Sequence, residues 1–282
     1  MAWSVSRAAL WRECPLHYYL RYVAKATPSQ PVSSALMHGR LVHAGLQAAY
    51  ESARDAPVTP GAMMSAHYLP AQEAITDYTD RDGVEITARW RRDAMGEVES
   101  LLEALRAPVP GAILGVETSF ELVVDGVTIK GVLDLALLTG ARSVHIRDWK
   151  TGALPEDIGL NPQLGTYHRA ARTRWAFVTK VTVGLYNTRR HEEISDAFAP
   201  EAETFVLDRL VSHYRDAAAV GEAVRHGCRS VREGYPARSG EHCANCDCRS
   251  YCPLFAGISL PVRDEAMVRQ EGERIHELIN QG

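Results

Sequence analysis

The chain has 282 residues, 46% hydrophobic and 23% charged, which is the composition of an ordinary globular protein with room for one large domain or two modest ones. No uncharged apolar run approaches the roughly 18 residues of a membrane span, and the first residues lack the apolar core of a signal peptide, so a cytoplasmic protein without a membrane role is expected. The net charge of −4 neither selects nor excludes nucleic acid as a partner.

In chain order, Ser6 is positioned to cap a first helix carrying Ala9, Leu10 and Cys14. Pro15 interrupts it, and Tyr18, Tyr19 and Tyr22 follow in an aromatic turn. Residues 27–31 read as a loop. Residues 34–51 read as a helix in which Leu36, Gly39, His43 and Gln47 recur every three or four positions and share a face. A turn at 57–61 precedes helices over 66–78 and 84–106, which the Pro- and Gly-containing segment 108–111 ends.

Strands follow from about residue 113. Residues 117–124 and 127–138 alternate, and Asp125-Gly126 between them is a strong two-residue hairpin signal. In the next strand, ending at Lys150, residues two apart share a face. Asp148 and Lys150 therefore project together with Val144 and Ile146, while His145, Arg147 and Trp149 face the other way. A meander of this kind brings Asp134 beside Asp148. Two converging carboxylates bind a hard divalent cation, and a lysine two residues on can position a water against a phosphate. That is the minimal equipment for metal-assisted phosphodiester hydrolysis. Taken alone, an Asp-x-Lys at a strand end is more often a solvated salt bridge.

After a loop to Pro162 come a helix over 163–175, a strand over 178–186, a helix over 201–225 and a polar helix from about 264. Residues 158–190 hold no Asp or Glu but carry Arg169, Arg172, Arg174, Lys180, Arg189 and Arg190. Such local positive charge suits phosphate contacts, with Arg169, Arg172, Arg174 and Lys180 as candidate DNA-binding residues; a solvated helix face is the plainer reading. The pattern predicts an α/β fold, a mixed sheet wrapped by helices. It divides into segments 1–33, 34–110, 111–226 (the sheet core) and 227–282.

Six cysteines in such a chain are not a disulfide framework by default. Cys14 and Cys228 stand alone, while Cys243, Cys246, Cys248 and Cys252 crowd into ten residues. Cys243-x2-Cys246-x5-Cys252 supplies three thiolates, and zinc or an iron–sulfur cluster wants four. Cys248 is one candidate for the fourth. Cys14 is another, closing a loop of about 229 residues worth on the order of 5 kcal/mol of unfolded-state entropy. Spacing does not separate zinc from iron–sulfur, and His242 keeps a Cys/His zinc site open.

Several segments match one pattern in order. Cys14-Pro15 is followed by Tyr18 and Tyr19, Gly39 by His43, and Glu117 by Phe120. Then come Gly131 to Asp134, Asp148-Trp149-Lys150-Thr151-Gly152, Gln163 to Tyr167, and Cys243, Cys246 and Cys252-Pro253. Over about residues 4–255 the chain resembles the PD-(D/E)xK nuclease superfamily. Within it, the match is to the iron–sulfur RecB-like branch, which holds the RecB and AddB nuclease domains and the CRISPR-associated Cas-four family. The resemblance implies a restriction-endonuclease-like sheet core flanked by helices, with the N- and C-terminal helical segments joined by a cluster. It implies that His43, Asp134, Asp148 and the backbone carbonyl of Trp149 hold Mg2+ or Mn2+, that Lys150 activates the attacking water, and that Gln163 and Tyr167 hold the Lys150 region or the scissile strand. Glu117 would assist the metal or merely cap a strand. Cys14, Cys243, Cys246 and Cys252 would hold a [4Fe–4S] cluster (Zn2+ is the alternative), with Cys248 and Cys228 outside the pattern. Asp148 stands where many relatives have Glu; both are used in the superfamily.

The activity implied is a metal-dependent DNA exonuclease on single-stranded or unwound duplex ends in recombination or repair. The phosphate loop of a helicase is absent from the sequence, so any motor or recombinase is expected to be a partner. A CRISPR-adaptation nuclease trimming prespacer ends beside an integrase is the alternative. A non-catalytic iron–sulfur DNA-binding scaffold is disfavoured by the complete set of His43, Asp134, Asp148 and Lys150.

Overall fold

Ser4, rather than Ser6, caps the first helix, α1 (Val5–Glu13), its hydroxyl accepting from Arg7 N at 3.3 Å. Cys14 is extended and ends α1, and Pro15 opens α2 (Pro15–Tyr18), where its missing N–H costs nothing. The chain then widens into a π-helical turn, Tyr19–Val23. This is a computed structural model, and it describes residues 2–55, 63–80, 83–104, 112–256, 258, 262 and 264–280. The turn expected at 57–61 and the helix end expected at 108–111 lie outside the described residues.

Three helices follow: α3 (Ser34–Asp55), α4 (Met63–Asp77) and α5 (Ala88–Ala104). Then come β1 (Ile113–Val124), β2 (Val127–Gly140), β3 (Ser143–Lys150), α6 (Pro162–Arg174), β4 (Lys180–Asn187), β5 (Glu192–Asp196), α7 (Pro200–Arg225), α8 (Val231–Gly234) and α9 (Glu265–Asn280). The five strands form one sheet in the order β1-β2-β3-β4-β5. β3 pairs antiparallel with β2 and parallel with β4, the parallel crossover being made through α6, and β5 closes antiparallel on β4. The expected mixed sheet flanked by helices is present. Residues Asp125 and Gly126 have φ of +49° and +78°, so the hairpin signal is realised as a turn with both central residues left-handed. The unforeseen strand is β5: Glu192, Glu193, Ser195 and Asp196 leave a single apolar residue, Ile194, and no hydrophobic alternation to read.

The chain divides into two compact units. One comprises residues 33–122 and 130–207. Its core lies on the sheet face covered by α6 and contains Leu133, Ala136, Val144, Ile146, Leu164, Tyr167, Val183, Leu185 and Phe198. Leu133, Ile146, Leu164 and Val183 are fully buried, each contributing about 1.5–3 kcal/mol. On the opposite face Trp149 packs against Tyr50 of α3 and Tyr186 of β4, with ring centroids 5.6 and 5.4 Å apart. β3 is thus covered on both faces, as a strand in a parallel pair usually is. β5 has a purpose here: Glu193 accepts both guanidinium branches of Arg147 at 2.7 and 3.0 Å and pairs with His145 at 2.7 Å.

The other unit comprises residues 1–32, 123–129 and 208–282. Trp3 N donates to Thr128 O at 2.9 Å, and the Trp3 ring packs on Tyr18 and Tyr214 at 5.7 and 5.6 Å. Asp247 pairs with His17 and Arg21, each at 2.8 Å, tying the Cys14 segment to the late cysteines. Among the described residues no helix is long and apolar enough to cross a membrane.

Candidate active site

The register that pairs Leu135 with Arg147 and Ala136 with Ile146 puts Asp134 directly opposite Asp148. Both side chains are buried, and Asp134 Oδ2 accepts from Trp149 N at 2.9 Å. Asn161 caps α6 by accepting from Gln163 N and Leu164 N, which fixes Gln163 in the first turn and Tyr167 one turn later on the same face.

Gln163 is the centre of a bonded set. Its amide nitrogen donates to Asp148 Oδ1 at 2.9 Å and to the Tyr167 hydroxyl at 2.8 Å, while its Oε1 accepts from Lys150 Nζ at 3.1 Å. The Tyr167 hydroxyl donates to Asp148 Oδ1 at 3.2 Å. Lys150 Nζ also lies 2.5 Å from Asp148 Oδ2. That ion contact lacks hydrogen-bond alignment, so the buried Oδ2 has charge nearby and no directed hydrogen bond. Burial, reinforced by the charges of Asp148 and Asp134, pushes the Tyr167 phenol well above its ordinary value, so it remains a donor.

His43 reaches the same place from α3. Its Nε2 lies 3.0 Å from the Trp149 carbonyl oxygen and its Nδ1 3.6 Å from Asp134 Oδ2. Gly39 eases this approach: a Cβ there would sit a tight 3.3 Å from Thr151 Oγ1 just after β3.

Glu117 arrives by a backbone irregularity. Extending the two-residue turn puts Phe120 opposite Gly131, yet at the far end Leu138 N donates to Ala112 O at 2.6 Å, one residue out of step. The extra residue falls at Glu117, whose φ of +43° is left-handed. This is a β-bulge, the device that re-aims a side chain beside a site. As a result, ligand atoms of His43, Glu117 and Asp134 all lie within 4.8 Å of one another.

The electrostatics favour a cation. Burial, with the charges of Asp134, Asp148 and Glu51, raises Glu117 to about 7. Burial and Asp148 raise Asp134 to about 6 against the opposing pull of His43, the Trp149 amide and Lys150. The His43 ring donates to the Trp149 carbonyl at 3.0 Å, so the two candidate ligands already lie side by side. The crowded carboxylates of Glu117 and Asp134 beside the His43 ring therefore fit a hard divalent ion.

Every expected residue of the metal and lysine set is brought together, with one change of emphasis. Glu117 groups with His43 and Asp134, while Asp148 turns toward Lys150, Gln163 and Tyr167. Sequence reading passed over Glu51, whose carboxylate accepts from Gln47 at 3.0 Å and faces Glu117. Its spacing from His43 and Gln47 along α3 was the available signal.

The basic stretch is less uniform than its composition. Arg169 is committed to the buried carboxylate of Glu203 at 2.5 Å, beside His168. Arg172, Arg174 and Lys180 are exposed, with Arg174 stacked 5.9 Å over Trp175.

In the other unit the late cysteines gather around Cys14. The thiol of Cys246 is pushed up to about 12, chiefly by burial, with the Asp247 carboxylate and the titratable thiols of Cys14 and Cys252 nearby. Burial likewise raises Cys252, with Cys14 and Cys243 adjacent. All are free thiols, the donor type a four-thiolate group uses, and Cys246 also lies in a compact group with His17 and Asp247. Cys248 is fully buried, Cys228 is exposed, and the His242 ring donates to the Arg238 carbonyl at 3.0 Å.

No curated protein matches the chain significantly. Among solved structures, one described as a "Putative exonuclease" from Eubacterium rectale is 13% identical, covering 91% of this chain and 94% of that one with a TM-score of 0.48. The structure of SSO0001 is 16% identical, covering 85% of this chain and 92% of that one with a TM-score of 0.33. A family profile matches residues 2–253, a span that holds every metal, lysine and cysteine position described above, and on that match the chain belongs to the PD-(D/E)XK nuclease superfamily.

Proposed function

We propose that this nuclease is a Mg2+- or Mn2+-dependent DNA exonuclease acting on single-stranded or unwound ends in recombination or repair. The observation that carries the reading is the bonded set Asp148–Lys150–Gln163–Tyr167 beside the grouped His43, Glu117 and Asp134. The ordered motifs shared with the RecB-like branch support the exonuclease assignment.

His43, Glu117, Asp134, Asp148 and the Trp149 carbonyl would hold the cation. When bound, it supplies Lewis-acid polarisation of the phosphodiester. The remaining work falls to the chain. Lys150 is half-buried, with Asp148 and Gln163 fixing its ammonium, so it can orient a water and offset charge developing on the phosphate. Tyr167, kept protonated, holds Asp148 in one rotamer through Oδ1, which turns Oδ2 to the Lys150 ammonium. Arg172, Arg174 and Lys180 offer phosphate contacts to the strand, whereas Arg169 anchors α6 to α7 through Glu203. Cys14, Cys243, Cys246 and Cys252 would hold a [4Fe–4S] cluster as a structural brace, zinc being the other group such a set accepts.

The test is end-labelled linear single-stranded DNA with Mn2+, beside a circular single strand. Linear DNA should shorten from its ends and the circle should resist. Asp148→Ala and Lys150→Ala should each lower the rate by about 10²–10⁴-fold. Full activity in both variants overturns the mechanism, and equal cutting of the circle overturns the exonuclease assignment.

A further inference from the structure

A second polar network sits behind the site, buried at His38, Glu97 and Thr188 and open to solvent at Arg189, and none of its side chains belongs to the set already described. Its hub is Glu97 of α5, whose side chain is 7% exposed. The carboxylate collects three donors: His38 Nε2 at 2.7 Å, Arg189 Nε at 2.8 Å, and the Thr188 hydroxyl. Burial opposes the charged form, but these donors outweigh it and hold Glu97 below the ordinary carboxylate range.

The donors come from functionally placed elements. His38 lies on α3, five residues before His43. Thr188 follows β4 directly and is fully buried. Its backbone N–H donates to the Lys150 carbonyl at 2.9 Å, and its hydroxyl oxygen lies 3.1 Å from the same carbonyl. One residue therefore connects Glu97 to the backbone of Lys150. Asn187 extends the hold by donating to Gly152 O at 2.7 Å.

The strand's own geometry makes this connection consequential. Successive carbonyls of an extended strand point to opposite edges. Holding the Lys150 carbonyl toward β4 sends the Trp149 carbonyl the other way, to 3.0 Å from His43 Nε2, while the Trp149 amide donates to Asp134. Through His38 the same carboxylate fixes the rotation of α3 about its axis, and hence where His43 points.

We propose that Glu97 is a positioning residue for the nuclease centre: it locks α3 to the end of β3 through His38 and Thr188, so that His43 and the Trp149 carbonyl face the cation together. This rests on the nuclease reading above. Groups hydrogen-bonded directly to metal ligands typically change metal affinity by about 10–100-fold when altered, and Glu97, one residue further back, should act at the lower end of that range.

The experiment compares wild type, Glu97→Gln and Thr188→Val. Mn2+ affinity is measured by calorimetry, kcat and KM on labelled single-stranded DNA, and folding by thermal melting. Thr188→Val keeps the side-chain volume and the backbone bond to Lys150, so it carries the test if Glu97→Gln fails to fold. The expected result is a rise of about tenfold in the Mn2+ dissociation constant in each folded variant. The rate at limiting Mn2+ should fall, recover at excess Mn2+, and leave KM for DNA unchanged. A residue that merely supports the fold would lower the melting temperature without a Mn2+-rescuable defect. Folded variants with wild-type Mn2+ affinity and wild-type kcat overturn the positioning role. A wild-type protein that neither binds Mn2+ nor degrades DNA overturns the nuclease reading beneath it, and the two failures are distinct.

Discussion

Glu117 and Asp134 illustrate how two side chains set a pH response. Without a cation both carboxyls titrate well above the ordinary range, near 7 and 6, because burial penalises ionisation, reinforced by Asp134, Asp148 and Glu51 at Glu117 and by Asp148 at Asp134. The folded metal-free protein therefore holds protons that the unfolded chain has already released. The sign follows: this contribution to stability is full below the ordinary carboxylate range and is lost as pH rises through about 6 and then 7. A divalent cation displaces those protons, so its affinity runs the opposite way. Mn2+ binding should tighten by about tenfold or more from pH 5 to pH 7, with proton release visible as a buffer-dependent calorimetric enthalpy. Glu117→Gln should flatten the upper part of that profile, and an affinity independent of pH would contradict the arrangement. Asp134, Asp148 and Lys150 were legible because they sit at fixed offsets along strands. Glu117 was legible only as a weak candidate, since a left-handed residue inside a strand leaves no mark in hydrophobic alternation.

At the level of elements, β1 and β2 show which local signals suffice. Asp125-Gly126 specified the turn, and the turn specified that Phe120 and Gly131 lie across from one another. The contact is close: a Cβ on Gly131 would come within 2.4 Å of the Phe120 ring. That ring packs edge-on against Tyr167 at 6.0 Å, and Tyr167 holds Asp148. Gly131→Ala should therefore destabilise the protein by about 1–3 kcal/mol through overpacking. It should also slow cleavage beyond what its melting temperature explains, by driving Phe120 into Tyr167. Denaturant titration beside single-turnover rates separates the two effects, and an unchanged rate would show that Phe120 yields elsewhere. β5 was invisible beforehand because Ile194 is its single apolar residue, and Glu193 is placed to pair with His145 and Arg147 rather than to continue an alternation.

For the whole molecule, the two proposed sites fall in different units. The proposed metal and lysine residues lie in the unit of residues 33–122 and 130–207, and the four cysteines proposed as cluster ligands lie in the unit of residues 1–32, 123–129 and 208–282. Protein purified without oxygen should hold about four irons per chain. Cys14→Ser should lose that iron and melt at lower temperature, because binding energy at such a site is folding energy. A colourless wild type with one zinc would replace the cluster by a zinc brace. By itself the sequence determined the hairpin, the strand offsets of Asp134, Asp148 and Lys150, the α6 face of Gln163 and Tyr167, and the cysteine spacing. All are relations between residues a few positions apart, which periodicity encodes directly. Only the tertiary structure decided that Arg169 is spent on Glu203, that a bulge turns Glu117 toward His43, and that Glu97 joins His38 to Thr188. Those partners lie tens of residues apart, and packing alone selects which buried charge meets which donor.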